Sequence, residues 1–418
     1  MKSHAKTRSG LVAALDIGTT KTCCFIAEIM GDGKPRIMGI GHQMAHGVRG
    51  GVVIDMEAAE ASIRATVHAA EQMAGQTISS VLVNISGGAP TSQTLGHEIL
   101  LNGRVIGDPD LRKLIDQSQL FDELSERELI HAIPVGFSID GNRGIRDPRG
   151  MYGERLGVHV HQITAASGPV RNLTQAVARC HLDVEALVVS PYASGLSSLV
   201  EDEMDLGVTL IDMGGGTTSI AVFFDGAVVF TDTIPIGGNH VTQDLARGLS
   251  TATRHAERMK TLYGAAIPAP GDDRDMIEVP LVGEEDPPKT TRISRSILVS
   301  IIAPRLEETF ELVRGRLEAG GFDKLGGSRL VLTGGACQLP GVRELAGQIM
   351  DKRVRIGRPV RCTGLAESTG GPAFSTCIGL LNFATVRQPQ VSAVHAPRNI
   401  DMPSGFISRI GSWFREAF

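Results

Sequence analysis

Two short runs carry the residue types needed to hold a phosphate chain. The first is Asp16-Ile17-Gly18-Thr19-Thr20-Lys21. The second, 196 residues further on, is Asp212-Met213-Gly214-Gly215-Gly216-Thr217-Thr218. Each follows an apolar stretch and precedes another, so each reads as strand, tight turn, strand. Glycine lets the main chain approach a phosphate, and successive N–H groups form an anion-binding nest. Threonine hydroxyls add donors. Lys21 supplies a positive charge for a β- or γ-phosphate. Asp16 and Asp212, at strand ends, would repel that phosphate chain unless a hydrated Mg²⁺ lay between, so magnesium held through water is the expected metal. Either turn alone reads as an ordinary hairpin. Its recurrence in an equivalent context points to two halves, each with its own sheet.

Three further features belong to the expected nucleotide site. Thr333-Gly334-Gly335-Ala336 follows a strand and offers a flat surface for adenine or ribose. Glu257 and Lys260, three apart on a predicted long helix over 241 to 264, share a face and suit ribose hydroxyls. A surface ion pair explains them equally well. Gly237-Gly238, just before that helix, allows close packing near the cleft. Other nucleotide signatures are missing. Gly18-Thr19-Thr20-Lys21 lacks the glycine before lysine of G-x-x-x-x-G-K-[ST], and no G-x-G-x-x-G occurs.

The elements that must position these residues alternate strand and helix along 418 residues, long enough for two or three domains. Helix is predicted over 57 to 75, 110 to 131, 172 to 184 and 294 to 319. Strand is predicted over 80 to 88 and 329 to 333, with a last helix opened by Gly371-Pro372. The acidic clusters Asp272-Asp273-Asp275 and Glu284-Glu285-Asp286 read as solvated loop. Hydrophobic residues make up 42% and charged residues 21%, the balance of a globular chain. A net charge of −5 argues against bulk binding to nucleic acid. No run of 18 apolar residues offers a spanning helix. Six cysteines without C-x-x-C spacing, and no export signal at the N-terminus, read as reduced cytoplasmic thiols. His159 and His161 share a strand face but have no third ligand at metal spacing, and His42 and His46 read as loop residues.

Taken together, these motifs resemble those of the actin-like ATPase superfamily. DIGTTK is similar to its first phosphate motif, DMGGGTTSIAV to its second, LTGGACQLPG to its adenosine motif and GPAFSTCIGLL to its second connecting helix. Within the superfamily, IPVGFSIDGNRGIRDPRGMYGERLGVHVHQIT resembles the inserted subdomain of the FtsA family of bacterial cell-division proteins. The resemblance implies an α/β fold of two actin-like domains, with ATP and Mg²⁺ between them and head-to-tail filaments. The expected layout is a tail (1–10), a first domain (11–86 and 167–205) and an inserted α+β subdomain (87–166). A second domain (206–386) follows, with a smaller subdomain at about 245–318, then a linker (387–405) and a terminal helix (406–418). The resemblance also implies partners: the acidic C-terminal tail of the tubulin-like protein FtsZ, near Lys289, Arg292, Arg295 and Arg305, and later division proteins at the insert. Relatives place a carboxylate or Gln near the attacking water. Here Ser190 precedes Pro191, a poorer water orienter, so weak or slow hydrolysis and a nucleotide-gated assembly switch are expected.

The last thirteen residues place Phe406, Ile407, Ile410, Trp413, Phe414 and Phe418 along one helical stripe. Ser408, Arg409, Ser412, Arg415 and Glu416 take the other face. The sole tryptophan and four of seventeen aromatics lie here, behind a linker with prolines at 389, 397 and 403. That pattern predicts an anchor on anionic inner-membrane lipid, at the cytoplasmic face and the division site. A small-molecule kinase of the same superfamily is the alternative, but it needs an acidic base beside a substrate hydroxyl and none stands out. An Hsp70-like chaperone would need a peptide-binding domain beyond the last predicted helix, where about thirty residues remain. A pilus-assembly relative should lack both the insert and the terminal helix.

Overall fold

The computed structural model describes residues 10–31, 33–118, 126–283, 289–360, 362–385 and 391–392. The predicted terminal helix and its membrane-facing residues lie outside them. Two five-stranded sheets share one topology. In the first, the order is Asp183–Val189, Ser80–Ile85, Gly10–Ile17, Lys21–Ile29, Pro35–Met44. In the second it is Arg353–Ile356, Arg329–Thr333, Val208–Met213, Thr218–Phe224, Ala227–Ile234. Each sheet is an antiparallel three-strand meander whose first strand continues into two parallel partners. Strands of the first hairpin are buried along nearly their whole length, which is why they read as unbroken apolar runs rather than alternating ones.

Two short helices, Ser190–Ser198 and Ser375–Phe383, cross between the sheets. Every residue of the first is buried, and so is every residue of the second up to Asn382. Glycines permit this. A Cβ on Gly379 would sit 1.7 Å from the Ala193 carbonyl oxygen, and one on Gly195 would meet the Phe223 ring at 2.3 Å. Tyr192, Ala193, Leu196, Ile378, Leu380 and Leu381 thereby join strands of both sheets into one apolar core. A separate core fills the far side of the second sheet, around Phe310 and Leu306 of the long Arg295–Gly320 helix.

The chain between Ser80–Ile85 and Asp183–Val189 forms most of a third sheet, ordered Thr91–Leu100, Arg155–Ala166, Arg127–Ile139, Val391–Ser392, whose edge strand Val391–Ser392 comes from far later in the sequence. The Asp108–Ser118 helix covers it through Leu111 and Leu114. The pairing of Val391 and Ser392 with Ala132 and His131 is regular structure inside the stretch read as linker.

Several sequence expectations need correction. The helix predicted over 241 to 264 is two helices, Gly238–Gly248 and Thr253–Tyr263. Ser250 takes a left-handed φ of 48°, and the Thr251 hydroxyl donates to the Pro280 carbonyl, so the break is fixed from outside the helix. Helix predicted to 131 gives way to the strand from Arg127, whose guanidinium donates to Thr164 and to the Ala89 carbonyl. The 172-to-184 helix starts earlier, at Ser167, and ends at Ala178. Asp272 is not solvated: it is buried against the Arg295 guanidinium at 3.0 Å and accepts from the Ala269 N–H. By contrast, the helix read from 57 runs over Met56–Ala74, capped by the Asp55 carboxylate and by Gly75 in the left-handed region. No described helix is long and apolar enough to cross a membrane.

The helix crossing yields a prediction. Gly379→Ala forces the Ser190–Ser198 and Ser375–Phe383 helices apart and should destabilise the fold by about 1–3 kcal/mol. The denaturant midpoint reads this, and an unchanged midpoint would mean that the crossing has room to spare.

Candidate functional site

The two glycine turns are built alike. The Gly18 N–H donates to the Lys21 carbonyl at 3.0 Å, and the Gly214 N–H to that of Thr217 at 2.9 Å. Antiparallel register puts Asp16 opposite Cys23 and Asp212 opposite Ser219, so both carboxylates lie at matching strand ends. Shared topology then turns both ends toward one cleft of about 460 Å³. That volume falls within the usual range for a small-molecule site. All eighteen residues expected at the nucleotide site line it: Asp16, Gly18, Thr19, Thr20 and Lys21 from the first turn; Asp212, Gly214, Gly215, Gly216, Thr217 and Thr218 from the second; Gly237, Gly238, Glu257 and Lys260; and Gly334, Gly335 and Ala336.

The turns meet across the cleft. A Cβ on Gly215 would lie 2.0 Å from the Thr20 Oγ1, and one on Gly216 would lie 2.5 Å from the Thr19 Oγ1. The Thr20 hydroxyl also reaches Asn239 Oδ1 at 3.5 Å. A Cβ at 215 would turn the Thr20 side chain away, and one at 216 would also meet the Gly50 backbone at 2.9 Å.

Behind the second turn, the Gly238 and Asn239 N–H groups donate to the Gly214 and Gly215 carbonyls at 2.9 and 2.8 Å. Gly237 and Gly238 therefore support that turn, and a Cβ on Gly237 would strike both carbonyls. Gly334, at φ 85°, packs its α-carbon directly on Asp212. Lys260 donates to the Gly238 carbonyl (3.1 Å), Thr242 Oγ1 (2.8 Å) and Glu257 Oε2 (2.7 Å), which engages all three of its donors. It holds Glu257, whose side chain stays 47% exposed, rather than offering donors of its own. Leu306, Leu339 and Pro340 add an apolar wall beside Ala336 at this end.

Asp16 and Asp212 are both buried. Burial raises the Asp16 carboxyl, opposed by Lys21 at 3.4 Å. Burial also pushes Asp212 up to about 6; the Asp16 charge adds to this, while the Ser194 hydroxyl (2.6 Å) and the Thr376 hydroxyl (3.2 Å) act against it. Lys21 donates to Cys23 Sγ at 3.2 Å and lies over the Phe374 ring, 4.4 Å from its centroid. Burial disfavours the Lys21 charge, but Asp16 and Cys23 outweigh it and hold the group above the ordinary lysine range. Two like charges sharing a buried cleft with one cation fit a hydrated Mg²⁺. Among the described residues no group of three or more His, Cys, Asp or Glu could cage a metal, as a water-rich magnesium site does not require.

Sequence reasoning missed several contributors. Asn84 accepts the Ile17 N–H at 2.7 Å and donates to the Ser190 hydroxyl at 3.2 Å. Its signal was an amide inside the apolar strand SVLVNI. Ser194 and Thr376, which clamp Asp212, come from the two crossing helices and carry no local motif. Of the basic residues grouped with a partner site, Arg295 is tied to Asp272, Arg305 to Asp244 at 2.6 Å and Arg292 to Glu278 at 2.9 Å. His161 is fully buried.

Comparison with known proteins adds the following. A family model for cell division protein FtsA matches residues 209–379, and a model for the SHS2 domain inserted in FtsA matches 87–164. The chain is 44% identical to the cell division protein FtsA of Agrobacterium fabrum, over 100% of this chain and 97% of that protein. It is 33% identical to that of Escherichia coli K12, over 98% of each. Among solved structures, a chain of the PilM-PilN type IV pilus biogenesis complex superposes with a TM-score of 0.64 at 17% identity, covering 91% of this chain and 100% of that one. MreB5 of Spiroplasma citri bound to ADP superposes with a TM-score of 0.52 at 15% identity, covering 89% and 95%. These structural likenesses establish the actin-like fold.

The raised Asp212 pKa gives a pH prediction for metal-free, nucleotide-free protein. The folded state holds this proton up to about pH 6, whereas an unfolded aspartate releases it near pH 3.8. Folding therefore binds a proton between those values, and the Asp212 contribution to stability falls as pH rises through that window. Asp212→Asn removes it. Its stability gain over wild type should be largest near pH 7 and shrink toward pH 4 by at most about 3 kcal/mol. A pH-independent difference in denaturation midpoints would contradict the assigned burial.

Proposed function

This chain belongs to the FtsA family of cell-division proteins, and from that premise we propose that it binds ATP with magnesium between its two domains and polymerises head to tail, tethering FtsZ filaments to the inner membrane. The observation that carries the proposal is the convergence of three glycine turns, two buried carboxylates and Lys21 on one cleft. MreB5, which shares the fold, has been solved with ADP, which favours the same class of ligand here. Magnesium, when bound, would screen the phosphates from the two aspartates through its water shell. The protein's own part is positional. With the Gly18 and Gly214 N–H groups closing their turns, the remaining amides of the two turns would receive the phosphates, Ser194 and Thr376 orient Asp212, and Lys260 steadies Glu257 for the ribose.

Polymer and membrane belong together in this reading. Burying four large apolar side chains of the terminal helix grosses roughly 6–10 kcal/mol. Ordering about a dozen residues offsets most of that. One helix is therefore a weak anchor, while a filament displaying many gains about 10²–10⁴ by avidity. In this reading the FtsZ tail docks on the subdomain around the Arg295–Gly320 helix, and later division proteins dock on the insert.

Two measurements test this. Asp212→Asn should weaken magnesium-dependent ATP binding by about 10–100-fold in a calorimetric titration, as loss of an outer-sphere metal partner does. Equal affinity would sink the nucleotide reading. Trp413, the sole tryptophan, should shift its emission to the blue on anionic vesicles, more so with ATP. An unshifted spectrum across lipid concentrations removes the tether.

A further inference from the structure

We propose that Phe374 is the positioning residue for the Lys21 ammonium, seating it at the phosphate end of the cleft; this rests on the nucleotide reading above. A lysine head on a four-carbon stem needs several restraints to hold one place. Lys21 has three neighbours: Asp16 Oδ2 at 3.4 Å, Cys23 Sγ at 3.2 Å and the Phe374 ring at 4.4 Å. The carboxylate distance is well beyond that of a strong charge-assisted hydrogen bond, and a thiol is a weak acceptor. The ring face supplies the remaining restraint. It attracts the cation without presenting a charge or a lone pair, so the ammonium keeps donor capacity for an anion. A carboxylate in that place would compete with the anion.

The ring itself is held. It stacks on Phe25 with centroids 5.9 Å apart and meets the His42 ring at 5.9 Å. Its backbone ends the Pro372–Phe374 turn, where the Pro372 carbonyl accepts from the Gly334 N–H at 3.2 Å and the Thr333 hydroxyl at 3.3 Å. Gly334 belongs to the third glycine turn, in the second domain. Phe374 thus links the position of that turn to a cation carried by the first domain, and Ala373 beside it lines the cleft.

The test compares ATP affinity, with magnesium, for the full chain and for Phe374→Leu, Phe374→Tyr, Lys21→Gln and the Lys21→Gln/Phe374→Leu double variant. Phe374→Leu should weaken binding roughly three- to tenfold, the size of one lost cation–π contact. Phe374→Tyr keeps the ring face and should retain affinity. In the Lys21→Gln background, Phe374→Leu should add nothing, because its effect runs through the ammonium. A merely structural role would lower affinity in both backgrounds, and that result overturns the inference, as does an undiminished Phe374→Leu. If Lys21→Gln itself leaves affinity unchanged, the phosphate role of Lys21 fails instead. Should Phe374→Leu prove unstable, the Phe374→Tyr variant still decides: lost affinity with an intact fold overturns the assignment.

Discussion

The whole arrangement depends on how closely two turns from different domains can approach. Thr19 and Thr20 occupy the space that a Cβ on Gly216 or Gly215 would need. A Cβ at 215 would displace the Thr20 side chain, and one at 216 would also press on the Gly50 backbone at 2.9 Å, so glycine at both positions keeps the two turns in close contact. Once the turns touch, Asp16 and Asp212 enter the same water-poor cleft. Their mutual repulsion is offset only in part by Lys21, 3.4 Å from Asp16. Under the proposed nucleotide reading, a magnesium-bound ligand between them would relieve it and so couple closure to binding by ordinary electrostatics, without any dedicated lever.

The same topology in both sheets explains why the coupling is so direct. A meander places its first turn at one end of the sheet, and two sheets facing each other bring equivalent ends together. The crossing of the Ser190–Ser198 and Ser375–Phe383 helices lies between them, with Gly379 against the Ala193 carbonyl. Those helices also supply Ser194 and Thr376 to Asp212. The packing contact that sets the interdomain spacing and the hydrogen bonds that hold a carboxylate are thus made by the same pair of helices.

How much of this was legible in the sequence follows from the range of the interactions. DIGTTK and DMGGGTT could be read because a turn's residue types are dictated locally, and their repetition exposed the duplicated architecture. The helix over 57 to 75 was equally local, legible from propensity alone. The break between Gly248 and Thr253 was not, since it is fixed by the Thr251 contact with Pro280, about thirty residues away. Burial of Asp272 depends on Arg295, again from a distant element. Asn84, Ser194 and Thr376 escaped for the same reason. A single serine or amide means little until the fold supplies its partner.

Ser190 shows what this implies for chemistry. Its hydroxyl receives the Asn84 amide, and Asn84 in turn accepts the Ile17 N–H just before the first glycine turn. Ser190 is thereby part of the scaffold that fixes the turn. A hydroxyl has no proton affinity near neutral pH comparable to that of a carboxylate, so it cannot share the proton of an attacking water. Under the proposed nucleotide reading, a cleft that holds ATP but activates water poorly would keep its ligand for a long time. In the proposed filament, slow turnover would lengthen the life of the closed state, which suits a switch for assembly better than a cycling enzyme.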